Sequence, residues 1–106
     1  MTIEMKREQL ADGCRCVLSG ELDLTTEPRV RKALLDELAA RPTKMIVDLA
    51  GVTFIDSSGL RVLLACRNRC EQVGTRLLLA GVGPGVDRTL QIANLKGFFE
   101  YEKLGR

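Results

Sequence analysis

The chain has 106 residues, 45% hydrophobic and 28% charged, with sixteen basic and fourteen acidic side chains and no histidine. That suits one compact domain over 1–106 with no Pro/Gly/Ser-rich linker, and the missing histidine removes the Ser-His-Asp triad, the Cys-His pair and every His-bearing metal site. A formal charge of +2 and an aromatic content of 4% offer little to nucleic acid. The one loose basic group, Arg61, Arg67, Arg69 and Arg76, reads as an ordinary solvated helix face. Residues 1–8 lack an apolar signal core and the apolar runs are too short to span a bilayer, so a cytoplasmic protein is expected.

In chain order, strands are expected over 2–8 and 14–19, joined by a turn at Asp12-Gly13, followed by a helix over about 26–40. Thr25 or Thr26 can cap that helix and Pro28 is tolerated in its first turn. Val30, Ala33, Leu34, Glu37 and Leu38 form a face that is apolar except at Glu37. A β-branched buried strand follows over 44–49, with Gly51 expected to end it. Val62, Leu63, Cys66, Cys70 and Val73 then recur at helical spacing and place a helix over about 58–73. After a strand at 75–80, Gly81-Val82-Gly83-Pro84-Gly85 lacks the Gly-x-Gly-x-x-Gly spacing, and Pro84 removes a backbone donor. It therefore reads as a turn into a helix over about 85–94 rather than a phosphate cradle. A short strand at 98–101 closes the chain.

This alternation predicts an α/β fold: a mixed β-sheet of four to five strands, an initial hairpin followed by parallel strands, with helices packed mainly on one side. Leu18, Ile46, Leu49, Phe54, Leu63, Leu77 and Leu79 are the main core candidates, with Phe98 and Phe99 closing one end. Cys14 and Cys16 share a strand face, and Cys66 and Cys70 share a helix face. Their Cys-x-Cys and Cys-x-x-x-Cys spacings are not those of zinc ribbons, and a cytoplasmic setting disfavours stable disulfides, so core packing is expected, with no metal and no cofactor.

Chemistry concentrates at Asp56-Ser57-Ser58-Gly59, where a strand and turn give way to a helix. Serine or aspartate there can cap the orphan N–H groups, and the same N–H groups with the helix dipole favour an anion such as a phosphate. On local chemistry alone, an ordinary N-cap is the simpler account. No Gly-x-Ser-x-Gly elbow and no Gly-x-x-x-x-Gly-Lys-Ser/Thr loop is present, which argues against an enzyme or a nucleotide-binding protein built around Ser57.

Three segments taken together resemble the STAS domain, and within it the free-standing bacterial anti-sigma-factor antagonists. They are Gly20-Glu21-Leu22-Asp23 before the first helix, Val47-Asp48-Leu49 running into Phe54-Ile55-Asp56-Ser57-Ser58-Gly59-Leu60, and Leu77-Leu78-Leu79-Ala80-Gly81-Val82 before a Pro84-containing helix start. The resemblance runs in order over about 2–103. It implies that Ser57, the first serine after the aspartate, is the phosphorylated residue, with Ser58 as its rival. It also implies a partner surface that includes Asp23, Asp56, Ser57, Ser58 and Gly59. The implied partner is an anti-sigma factor with a GHKL-type serine kinase domain. The unphosphorylated antagonist captures it and so releases its sigma factor, the kinase switches the antagonist off, and a PP2C-type phosphatase resets it. The chain would then be substrate and switch, not an enzyme. A phosphate of charge about −1.5 to −2 beside Asp56 would make the surface anionic and end binding. The second reading is a STAS accessory or structural subunit, as in a stressosome or a lipid-transport assembly, without a phosphoswitch.

Overall fold

The computed structural model describes residues 2–103. Strands β1 (Ile3–Leu10) and β2 (Gly13–Leu22) form the antiparallel hairpin, and α1 (Glu27–Leu38) carries the chain to β3 (Lys44–Ile55). Helix α2 (Ser57–Val73) leads to β4 (Arg76–Ala80), and α3 (Pro84–Ile92) follows. The sheet order is β1-β2-β3-β4, with β2, β3 and β4 parallel, as the alternation of elements predicts.

Helices α1, α2 and α3 bury their apolar stripes in one cluster with one face of the sheet. Val30, Leu34 and Leu38 of α1, Val62, Leu63, Cys66 and Cys70 of α2, and Val86 and Leu90 of α3 meet Cys14, Cys16, Leu18, Met45, Val47, Leu49, Leu77 and Leu79. Glu37, the polar break in the α1 stripe, pairs with Arg7 of β1 at 2.6 Å. The other face carries charge. Arg15 binds Asp48 (2.9 and 3.1 Å) and Glu102 (3.0 Å twice), so the chain after α3 is held to the strands by a double fork.

Several expectations need correction. Gly51 does not end β3, which continues to Ile55. A Cβ at Gly51 would lie 2.5 Å from Ser19 Oγ, so the glycine permits a close approach of paired strands instead of breaking one. The β2–β3 register shifts twice, between Val17 and Ser19 and between Gly20 and Glu21. Each shift changes which residues face the core. Phe54 therefore stands opposite Glu21 and is 47% exposed, while Ile55 opposite Leu22 is buried. Ile46 is buried, but on the face away from the helices, with Leu78 and Ala80. Phe99 closes the core, whereas Phe98 is 54% exposed and lies against the Arg67 guanidinium. The expected strand at 98–101 is a 3-10 turn (Lys96–Phe98) followed by a single bridge of Tyr101 to Leu79.

Candidate functional site

β2 and β3 end side by side, and that places the site. Leu22 pairs with Ile55, and the Asp56 N–H donates to the Leu22 carbonyl at 3.3 Å. The loop after β2, with Asp23, thus lies beside the start of α2. The first turn of α2 closes tightly onto both strand ends. A Cβ at Gly59 would fall 2.6 Å from both the Leu22 carbonyl oxygen and Ile55 Cγ1.

Asp56 is the N-cap of α2, in extended conformation, and its Oδ1 accepts from the Ser58 N–H (2.8 Å) and the Gly59 N–H (3.2 Å). Ser57 follows as the first helical residue, exposed, with no side-chain hydrogen bond among the described residues. Ser58 is 4% exposed, and its Oγ accepts from Arg61 Nη2 at 3.1 Å. The two serines therefore differ: one hydroxyl is presented to solvent, the other is built into the turn.

Asp23 is 5% exposed. Its Oδ1 accepts from the Thr25 hydroxyl (2.6 Å) and from the Thr25 and Thr26 N–H groups (2.9 and 3.2 Å), while Oδ2 is buried without a partner. The Thr25 hydroxyl first, and then the two backbone donors, hold this carboxyl below the usual aspartate range despite burial. Thr26 occupies the N-cap position of α1 without a side-chain cap; its hydroxyl donates to the Glu21 carbonyl at 2.7 Å instead. Leu24, between these polar groups, is 68% exposed. Sequence reasoning passed over it, although a leucine inside Asp-Leu-Thr-Thr, away from any apolar period, is a legible sign of a surface apolar group.

A family model of the STAS domain matches residues 5–105. The chain belongs to the STAS domain family. The anti-sigma-B factor antagonist of Listeria monocytogenes is 28% identical over 104 residues, which span 98% of this chain and 90% of that protein. The anti-sigma F factor antagonist of Paenibacillus polymyxa is 37% identical over 79 residues, 74% of this chain and 68% of that one. The crystal structure of an anti-sigma factor antagonist from Mycobacterium paratuberculosis matches with a TM-score of 0.86 at 26% identity, covering 97% of this chain and 88% of the other.

In this STAS domain the four cysteines are unbridged and buried. Burial pushes the Cys16 thiol up to about 12 and raises Cys14. Cys66 is raised by its contact with Cys70 and then by burial. Cys66 also lies 3.7 Å from Met45 Sδ, packed as an apolar group. Among the described residues no three Cys, Asp or Glu side chains are grouped to hold a metal ion, and no helix is long and apolar enough to cross a membrane.

Proposed function

We propose that this STAS domain is a cytoplasmic anti-sigma-factor antagonist, and that Ser57 is its phosphorylation switch. The observation that carries the reading is the exposed Ser57 hydroxyl at the first position of α2, directly after the Asp56 cap and at the junction where the ends of β2 and β3 pair. The names of its relatives support the role. The unphosphorylated form binds an anti-sigma factor that carries a GHKL-type serine kinase domain, which frees the sigma factor. The kinase modifies Ser57, and a PP2C-type phosphatase restores it. This chain performs no catalysis of its own; it is bound, modified and released.

The electrostatics give the switch its sign. Asp56 already occupies the N–H groups of Ser58 and Gly59, so a phosphate on Ser57 cannot take those donors without displacing the cap. Arg61, one helical turn on, offers a single positive charge. Against it stand Asp56 and a phosphate of about −1.5 to −2, so the modified surface stays anionic. Like-charge repulsion and desolvation in a contact amount to several kcal/mol, and each 1.4 kcal/mol is about tenfold in affinity.

The test is a titration of the cognate anti-sigma factor at one salt concentration. Phosphorylated protein should bind at least roughly a hundredfold more weakly than unmodified protein. Ser57→Ala should bind and resist switching, and Ser57→Asp should weaken binding partly, since a carboxylate carries less charge than a phosphate. Peptide mapping after kinase treatment should place the phosphate on Ser57. Equal affinity of the two forms would overturn the switch and leave the accessory-subunit reading.

A further inference from the structure

β3 outruns its neighbour. Pairing with β4 stops at Asp48 opposite Ala80, because Gly81, at φ +63, turns the chain off the ladder. β3 continues to Ile55. The Ala50 N–H is taken by Asp48 Oδ1 at 3.0 Å. From residue 51 to 54 the edge facing away from β2 has no backbone hydrogen bond to another segment among the described residues. An unpaired strand edge is a template for a further strand unless it is covered or charged. Here it is neither.

A groove of about 400 Å3 runs along this edge, between residues 50–55 and the first turns of α3. Its walls include Val52, Phe54, Pro84 and Val86, and no charged side chain lines it, in a chain that is 28% charged. Gly83 and Gly85 leave open space where other residues would place a Cβ. The groove ends at Ile55, two residues before Ser57.

We propose that this groove receives an extended, uncharged segment of the partner protein, which adds to β3 as a further strand beside the Ser57 switch. The inference rests on the antagonist reading and adds how the partner is held. Main-chain hydrogen bonds supply affinity in this mode, and pockets for alternate side chains supply selectivity. A second copy of this chain is a poor occupant. Its free edge strand β1 carries Glu4, Lys6, Arg7 and Glu8, which would lose water against an uncharged wall. The outer edge of β4 is already engaged, with the Leu79 N–H donating to the Glu100 carbonyl and the Leu79 carbonyl accepting from the Glu102 N–H.

The experiment combines affinity with amide hydrogen exchange, using the purified cognate anti-sigma factor and the full chain. Gly85→Trp fills the groove from a position with open space, and Phe54→Ala removes an exposed wall; Gly85→Ala is the size control. Gly85→Trp and Phe54→Ala should each weaken binding about tenfold or more, Gly85→Ala should bind as wild type does, and the amides of 51–54 should gain protection in the complex. Circular dichroism checks that each variant is folded. If wild type binds and phosphorylation weakens it, but Gly85→Trp binds equally well and 51–54 stay unprotected, the groove proposal falls and the antagonist reading stands. Protection of 51–54 in the free chain that grows with its own concentration would make a second copy the occupant and overturn the proposal. No binding by wild type would sink both.

Discussion

Asp56 is both the cap of α2 and a negative charge on the residue next to Ser57, and the two roles can be separated by substitution. Its carboxylate satisfies two orphan N–H groups, so Asp56→Ala should cost about 0.5–2 kcal/mol of stability. Asp56→Asn keeps a good cap and should cost far less. Urea unfolding of the two variants checks this, and an equal loss in both would show that charge, not capping, is what Asp56 contributes to the fold. Asp23 gives a pH signature. Its carboxyl is lowered mainly by the Thr25 hydroxyl, and then by the backbone donors of Thr25 and Thr26. A depressed carboxylate stabilises the fold fully above the unfolded value of about 3.9, and that stability is lost as pH falls through the folded value. The urea midpoint of wild type should therefore exceed that of Asp23→Asn near neutrality, with the difference shrinking in acid below about pH 4. A difference independent of pH would refute the ionised turn.

At the scale of elements, glycines with opposite surroundings give opposite expectations. Gly59 sits where the first turn of α2 meets the ends of β2 and β3, and a methyl there must push into the Leu22 backbone. Gly59→Ala should destabilise by about 1–3 kcal/mol, the usual cost of overpacking, and should disturb Ser57 with it. Gly85 lies in the first turn of α3 with nothing near its missing Cβ. Gly85→Ala should stabilise by about 0.4–1 kcal/mol, because it restricts the unfolded chain without a clash. Thermal unfolding of both variants measures the contrast, and a stable Gly59→Ala would mean that α2 can shift along the strand ends. The same close packing explains why the site is positioned by strands rather than by loops alone: β2 and β3 end in register, so Asp23 and Asp56 arrive together.

At the scale of the molecule, the main core among the described residues lies between the sheet and helices α1, α2 and α3, and its sulfur-rich part bears on metal content. Cys14, Cys16, Cys66 and Cys70 are buried, and loading a metal requires thiolates. With Cys16 pushed up to about 12 and Cys14 raised, both chiefly by burial, deprotonating the strand pair is unfavourable. Purified protein should contain no stoichiometric zinc by elemental analysis and should stay folded under chelator and reductant. One tightly held zinc per chain, with unfolding on its removal, would overturn the packing account. On the opposite face Arg15 ties Asp48 to Glu102, so the segment around Tyr101 is fastened by ion pairs as well as by its single bridge to Leu79.

Local spacing in the sequence determined the order of the elements, the hairpin followed by parallel strands, the helical stripes and the Asp56-Ser57-Ser58 junction. These depend on neighbours a few residues apart, through the 3.6 and 2.0 periods of side-chain direction. Tertiary structure alone decided which residues of a strand face inward beyond Leu49. Two register shifts against β2 exposed Phe54 and buried Ile55, and no pattern within β3 encodes the pairing of a distant strand. Gly51 looked like a breaker because its neighbour Ser19 lies thirty-two positions earlier in the chain. Phe98 resembled a core residue until the 3-10 turn set it on the surface against Arg67. The open edge beside Ser57 is equally a product of assembly, since it exists only because β4 stops pairing before β3 ends. Periodicity fixes how a segment folds, while burial is a property of the segments it meets.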